Sequence, residues 1–256
     1  MSEKNPVQSA ERIFEILEYL AEHGACALTE VGSALSLSKS TTHRLLYSLC
    51  MMGYVTKDSF SGRYTLTFKI LEIAGHVLDR IDILAIAHKH IDRLMKQTQE
   101  TVHFVQREGN HIVYVDKVES DASSIRMVSR IGLRMPMYCT GVGKAMLAQM
   151  NEREVREIWE GTQIEKCTEN TITDLDILLH ELAEIRVRGY ALDNEENEIG
   201  VRCIAACVQD YTGRADAAFS ISAPISRMSD DRIRELSGYV LQTRRDISRE
   251  LGYRGV

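Results

Sequence analysis

Proline is scarce (3 in 256 residues), there is a single tryptophan, and no apolar run approaches the roughly 20 residues that span a bilayer. With only 16 glycines as well, the chain is a poor candidate for a long flexible linker or a collagen-like repeat. Cysteine occurs at 26, 50, 139, 167, 203 and 207, but no two are spaced as CxxC. A chain of this length has core enough to do without disulfide staples, so reduced and mostly buried thiols in a cytoplasm are expected. The opening Met1-Ser2-Glu3-Lys4-Asn5-Pro6 lacks the apolar core of a signal peptide, which points away from secretion. What is present is globular material, 44% hydrophobic and 27% charged. The length suits one large unit or two ordinary ones.

The net charge of -6 argues, taken globally, against a nucleic-acid partner. Locally the argument reverses. Between Ser36 and Lys69 the cations Lys39, Arg44, Lys57, Arg63 and Lys69 face one acid, Asp58, a local +4 that leaves -10 for the rest. A duplex responds to charge presented within a Debye length (~8 Å at physiological salt), not to the molecular total. An acidic body with a basic window near one end fits a DNA reader joined to a separate sensing domain. A chance cluster on a solvated face would give the same count.

The first 75 residues add order to that charge. Val7, Ala10, Ile13, Phe14, Ile16, Leu17 and Leu20 recur at helical spacing and predict a helix from about Gln8 to Glu22, ended by His23-Gly24. A short helix from about Thr29 to Leu35 follows, then a turn at Ser36-Leu37. A third helix, capped by Ser38, turns Leu45, Leu46 and Leu49 inward and closes at Met52-Gly53. A tight turn with a small residue at the crossing, Gly32 or Ala34, matches a helix-turn-helix. The third helix presents Lys39, Ser40, Thr41, His43, Arg44 and Tyr47 outward, with Ser38 at its head. Short hydrogen-bonding side chains and two cations suit phosphate oxygens and major-groove base edges. Alternating runs at 54–57 and 63–66 around Asp58-Ser59-Phe60-Ser61-Gly62 predict a hairpin, a wing that offers Lys57 and Arg63 to backbone phosphates.

The run Leu28-Thr29-Glu30-Val31 … Leu35-Ser36-Leu37-Ser38-Lys39-Ser40-Thr41-Thr42-His43-Arg44-Leu45-Leu46 … Gly53-Tyr54-Val55 … Arg63-Tyr64-Thr65-Leu66 resembles the winged helix-turn-helix of IclR-family bacterial transcriptional regulators, as does the opening Val7-Gln8-Ser9-Ala10-Glu11-Arg12. Thr42 departs from the apolar β-branched residue more usual in the family, a change expected to lower stability slightly.

Beyond a boundary near 76–82, Leu84, Ala87, His88, Ile91, Leu94, Met95 and Thr98 form a near-heptad helix that could serve a subunit seam or a domain core. From Thr101 the pattern turns to β: Thr101–Arg107, His111–Val118 and Ile125–Arg130, then helical stretches at about 141–160 and 173–188. Strands return at Tyr190–Asp193, Gly200–Asp210 and Ala215–Ser222, and a helix from Ser229 to Leu251 closes the chain. The expected class is α+β: a winged helix-turn-helix domain over 1–75, linker helices over 76–99, and over 100–256 an antiparallel sheet flanked by helices. The resemblance extends through this second region and implies an effector-binding domain similar to the GAF fold.

Period-two alternation puts Val201, Cys203, Ala205 and Cys207 on one strand face, and Ala218, Ser220 and Ser222 on one face of the next. The serines could line a cavity with Cys203 or satisfy local backbone groups. Thr140-Gly141-Val142-Gly143-Lys144-Ala145 opens a helix whose free amides favour an anion, although a tight structural turn reads the same. It is no P-loop, because the GxxxxGK[ST] spacing is absent. The resemblance implies that Gly141 and Val142 offer N–H groups to a ligand carboxylate, that Asp193, Cys203, Ser220 and Ser222 meet its polar groups, and that Met127, Met135 and Val201 form an apolar wall. Asp193 beside an anion either accepts from a ligand hydroxyl or hydrate, or is itself protonated by burial.

No catalytic residue, metal site or cofactor is expected. Cys203 has no base nearby in sequence, His88 and His90 point in different directions on a helix, and Cys203 and Cys207 lie too far apart on a strand for one zinc. The expectation is a cytoplasmic, ligand-responsive transcriptional regulator, in the family's commoner pattern a repressor of sugar-acid or keto-acid catabolism genes. It would bind a palindromic operator in double-stranded DNA, answer to a small carboxylic acid and leave membranes alone. The family implies a homodimer and a homotetramer built as a dimer of dimers. The rival is a metabolic enzyme acting on that acid.

Overall fold

The change from helical spacing to alternation is carried into two units that divide between Ile81 and Asp82. The computed structural model describes residues 5–78, 81–120 and 129–255.

The first unit packs α1 (Gln8–His23), α2 (Leu28–Ala34) and α3 (Lys39–Met51) against a hairpin of β1 (Val55–Lys57) and β2 (Tyr64–Leu66), followed by α4 (Lys69–Leu78). Ile16, Leu20, Val31, Leu45, Leu46, Leu49, Val55 and Tyr64 form its core. Gly24 ends α1 at φ +71°, a backbone state that side chains disfavour. Of the two small residues expected at the α2–α3 crossing, Gly32 is buried and Ala34 exposed, and a Cβ added at Gly32 would stand 3.0 Å from Thr42 Oγ1. Thr42 is itself fully buried and donates its hydroxyl to the Ser38 carbonyl at 3.0 Å, so the family departure leaves no orphaned polar group. The α1 pattern is not all core. Val7 and Phe14 are more than half exposed, and α4 buries none of its residues although it carries Leu71, Ile73 and Val77.

In the second unit α5 (Ile83–Thr98) leads into β3 (Thr101–Glu108), β4 (His111–Val118) and β5 (Arg134–Pro136). Then come α6 (Gly141–Leu147), α7 (Glu152–Glu160), α8 (Leu175–Arg188), β6 (Ala191–Asn194), β7 (Val201–Val208), β8 (Ala217–Pro224) and α9 (Asp230–Glu250). One antiparallel sheet has the order β5-β4-β3-β8-β7-β6. Alternation decides which layer each residue joins. Ile204, Ala206, Val208, Phe219 and Ile221 pack with α5 and α9, whereas Ala205, Cys207 and Ala218 pack with α6, α7 and α8.

Several expectations are revised. The helix α5 is no linker: Ala87, Ile91 and Leu94 are fully buried in the core of the second unit. The stretch 141–160 is two helices, because Asn151 starts α7 with a capping box to Glu154. The strand β5 was not anticipated. Of the strand expected at Ile125–Arg130, residues 125–128 lie outside the described residues, and Ser129 and Arg130 have no regular structure. No helix among the described residues is long and apolar enough to cross a membrane.

Candidate ligand cavity and nucleic-acid face

Sheet register assembles residues that are far apart in sequence. Asp193 on β6 pairs with Cys203 on β7, Cys203 with Ser222 on β8, and Ser222 with Thr101 on β3. The next row runs Ala191, Ala205, Ser220 and His103. With Tyr114 from β4 and loop residues Ser129, Leu133, Asn197 and Glu198, the row members Asp193, Cys203, Ser222 and His103 surround a cavity of about 280 Å³. Met135, Asp193, Val201, Cys203 and Ser222, all expected to face an effector, are among its lining residues.

Met127 lies outside the described residues. Ser220 is buried behind the wall and reaches it through Ser222, with the two hydroxyls 3.4 Å apart. Gly141 and Val142 are buried but do not line the cavity. The glycine-rich opening of α6 is pressed onto the sheet: a Cβ on Gly141 would meet Ala205 Cβ and the Asp193 nitrogen at 3.4 Å, and one on Gly143 would lie 2.2 Å from the Met137 carbonyl oxygen. Close backbone packing is what these glycines secure, and the Thr140 hydroxyl caps the helix by accepting from the Gly143 N–H at 3.1 Å.

His103 belongs to the cavity and was missed as a ligand-facing residue. Its signal was a polar residue inside the apolar run Thr101-Val102-His103-Phe104-Val105, on the same face as Val105. Burial, helped by Lys117, pushes its pKa down to about 3, so the imidazole is neutral near pH 7. Nε2 bonds the Ser129 hydroxyl at 2.7 Å and Nδ1 the Ser222 hydroxyl at 3.3 Å. A chain Ser129–His103–Ser222–Ser220 thus backs one wall. It is not a catalytic triad, because the second ring nitrogen meets a hydroxyl and no carboxylate. Burial also drives the Cys203 thiol far above its ordinary value, which keeps it protonated and un-nucleophilic.

The opposite wall is charged beneath its surface. Asp193 Oδ1 accepts from the Glu196 N–H at 2.8 Å, and Glu196 forms a buried ion pair with Lys144. Burial first, and the Glu196 charge second, raise the Asp193 carboxyl to about 7. Asp193 is therefore poised between acceptor and donor near neutrality. Sequence reasoning missed the Lys144–Glu196 pair, since nothing in a Gly-x-Gly-Lys run says that its lysine is buried. Among the described residues no group of three or more His, Cys, Asp or Glu side chains could hold a metal ion. His88 turns to Asp116 at 2.7 Å and His90 to Glu250 at 3.0 Å.

On the first unit, Lys39, Ser40, His43, Arg44 and Tyr47 are exposed along one face of α3, with Thr41 half-buried. Lys39 and Arg44 make no ion pair among the described residues. The rings of His43 and Tyr47 stack at 6.4 Å. Ser38 is committed to the cap: its hydroxyl accepts from the Thr41 N–H at 3.3 Å and meets Thr41 Oγ1 at 2.9 Å. Lys57 is exposed on the wing, its ammonium 5.4 Å from the Tyr64 ring centroid. Arg63 differs from expectation, because Glu30 holds its guanidinium in a two-pronged pair at 3.0 and 3.1 Å and the Ala25 carbonyl accepts from it at 2.7 Å. It ties the wing to α2 and is not a free cation.

Comparison with known proteins agrees with both halves. Residues 9–59 match the IclR helix-turn-helix domain, and residues 75–249 match the bacterial transcriptional regulator IclR C-terminal domain. The chain is 38% identical over 247 residues to the HTH-type transcriptional regulator KdgR of Escherichia coli, covering 96% of this chain and 94% of that one. It is 34% identical to the transcriptional repressor IclR of the same organism, covering 98% and 91%. The crystal structure of Thermotoga maritima IclR superposes with a TM-score of 0.65 at 37% identity, covering 96% of this chain and 99% of that one. These relatives are regulators of transcription and not enzymes. The chain belongs to the IclR family of bacterial transcriptional regulators.

Proposed function

We propose that this regulator is a cytoplasmic repressor of sugar-acid or keto-acid catabolism genes whose operator affinity is changed by a small carboxylic acid. The observation that carries the reading is the cavity of about 280 Å³ between β6, β7, β8 and the β3–β4 hairpin. It joins an apolar side (Leu133, Met135, Val201) to a polar side (Asp193, Cys203, His103, Ser222). Such a mixture orients a compact polar molecule while removing it from water. A protonated Asp193 and the Ser222 hydroxyl supply donors for a carboxylate, and neutral His103 holds the hydroxyl chain behind them.

The exposed face of α3 reads base edges, with Lys39, Arg44 and Lys57 meeting phosphates. The apolar residues left open on α1 and α4 support a homodimer in which a second copy covers Phe14, Leu71 and Val77. A dimer with two such faces suits a palindromic operator, and a dimer of dimers extends the arrangement to a tetramer. The acid acts through its unequal affinity for two arrangements of the protein.

The test is a thermal-shift screen of small keto and sugar acids, followed by operator gel shifts with each acid that binds. The expected acid raises the melting temperature, shifts the operator affinity and is recovered unchanged. No stabilisation by any such acid would overturn the reading, and turnover of the acid would favour an enzyme.

A further inference from the structure

A second cluster lies at the end of α9, outside the site described above. Leu241, Arg244, Arg245 and Ser248 recur at helical spacing, with Arg249 beside them. They meet Gln209 just beyond β7 and the segment Tyr253, Arg254 and Gly255, and together line an open cavity of about 330 Å³. Among the described residues its lining holds four arginines and no carboxylate.

These arginines have no acidic partner among the described residues. Arg244 donates to the Gly189 carbonyl and to Gln209 Oε1, each at 3.2 Å, and Arg245 to Gln242 Oε1 at 2.7 Å. All three acceptors are neutral. Arg249 and Arg254 have no protein acceptor among the described residues. Several other arginines of this unit meet acids, as Arg93 with Asp246, Arg188 with Glu181, Arg202 with Asp230 and Arg227 with Glu100. Four unneutralised guanidinium groups around one cavity repel one another and attract an anion of high charge.

We propose that this cavity binds a compact phosphorylated metabolite carrying at least two negative charges, at a site that shares no lining residue with the cavity around Asp193. A planar carboxylate satisfies one guanidinium fork, whereas a tetrahedral phosphate presents acceptors in several directions and can engage forks from different sides. Ser248 Oγ already accepts from the Gln209 N–H at 3.0 Å, which leaves its hydroxyl hydrogen to donate to the ligand. The chain of β7 joins the two cavities, with Val201 and Cys203 lining one and Gln209, just past its other end, lining the second.

The experiment is calorimetric titration of the full chain with inorganic pyrophosphate, orthophosphate and citrate at fixed ionic strength. Saturable binding of one pyrophosphate per chain, tighter than orthophosphate or citrate, is expected. Arg245→Ala and Arg249→Ala should each weaken it about tenfold, equivalent to roughly 1.4 kcal/mol. Both side chains are exposed, and melting curves verify the fold. Arg234→Ala, which removes the partner of Asp231 outside the cavity, should bind as the parent does. Ser222→Ala should also leave the titration unchanged, so failure of the carboxylic-acid reading would not disturb this one. Absence of saturable pyrophosphate binding, equal binding by the arginine variants, or tighter citrate binding would each overturn the proposal. A flat titration with variants that alter oligomeric state or duplex retention would instead assign the cavity to a second copy or to DNA.

Discussion

Replacing Asp193 by Asn tests the electrostatic account of the cavity most directly. The folded carboxyl is raised from 3.8 to about 7, a shift of about 3 units at about 1.36 kcal/mol each, or about 4 kcal/mol. A raised folded value means that the native state holds a proton the unfolded chain has released. Stability from this group is therefore fully present below about pH 4 and is lost as pH climbs towards about 7. The groups around it share in the outcome. Burial also raises Glu196, while Lys144 pulls both carboxyls down, and Cys203 and Glu198 line the same cavity. Asn keeps an oxygen to accept from the Glu196 N–H yet cannot ionise. Urea unfolding of the parent and of Asp193→Asn at half-unit steps from pH 4 to 8 measures the difference. The parent should lose up to about 4 kcal/mol more than the variant across that window. Parallel curves would refute the argument, because Asp193 would then be ionised in the folded protein without penalty.

Arg44→Ala should weaken operator binding about uniformly across duplex sequences in gel shifts and lower the salt slope by about 1, while acid binding stays as in the parent; equal loss of both would contradict separate reading and sensing surfaces. Ser220→Ala combined with Ser222→Ala should abolish the operator response to acid and leave DNA binding intact, and an unchanged response would remove these hydroxyls from the site. Lys144→Met leaves Glu196 buried without its cation, and chemical denaturation should show a loss of about 3–5 kcal/mol. Adding Glu196→Leu should recover much of that loss, and a double variant as unstable as the single would argue that packing, not charge, dominates there.

Much was legible in one dimension because the forces involved are local. Apolar spacing of 3.6 marks α1, α3 and α9, and Ser38 and Ser229 announce helix starts because a hydroxyl can accept from a free N–H two or three residues on. Period two in β7 and β8 sorted Cys203 and Ser222 from Ile204 and Ile221 before any sheet was known. The outward face of α3 follows from the inward one. Even the revisions keep to this pattern: the break between α6 and α7 is written in Asn151 and Glu154, a capping pair overlooked beside a longer helical rhythm.

What tertiary structure alone decided concerns partners distant in the chain. Register across four strands, not spacing along one, brings Asp193, Cys203, Ser222 and His103 around a single cavity. Arg63 was expected to be free for phosphates until folding set Glu30 beside it, and nothing along the chain foretold that Lys144 is buried against Glu196. Alternation and helical period report which way a side chain points. They carry no information on what stands opposite, and charge, protonation and ligand access all depend on that opposing group.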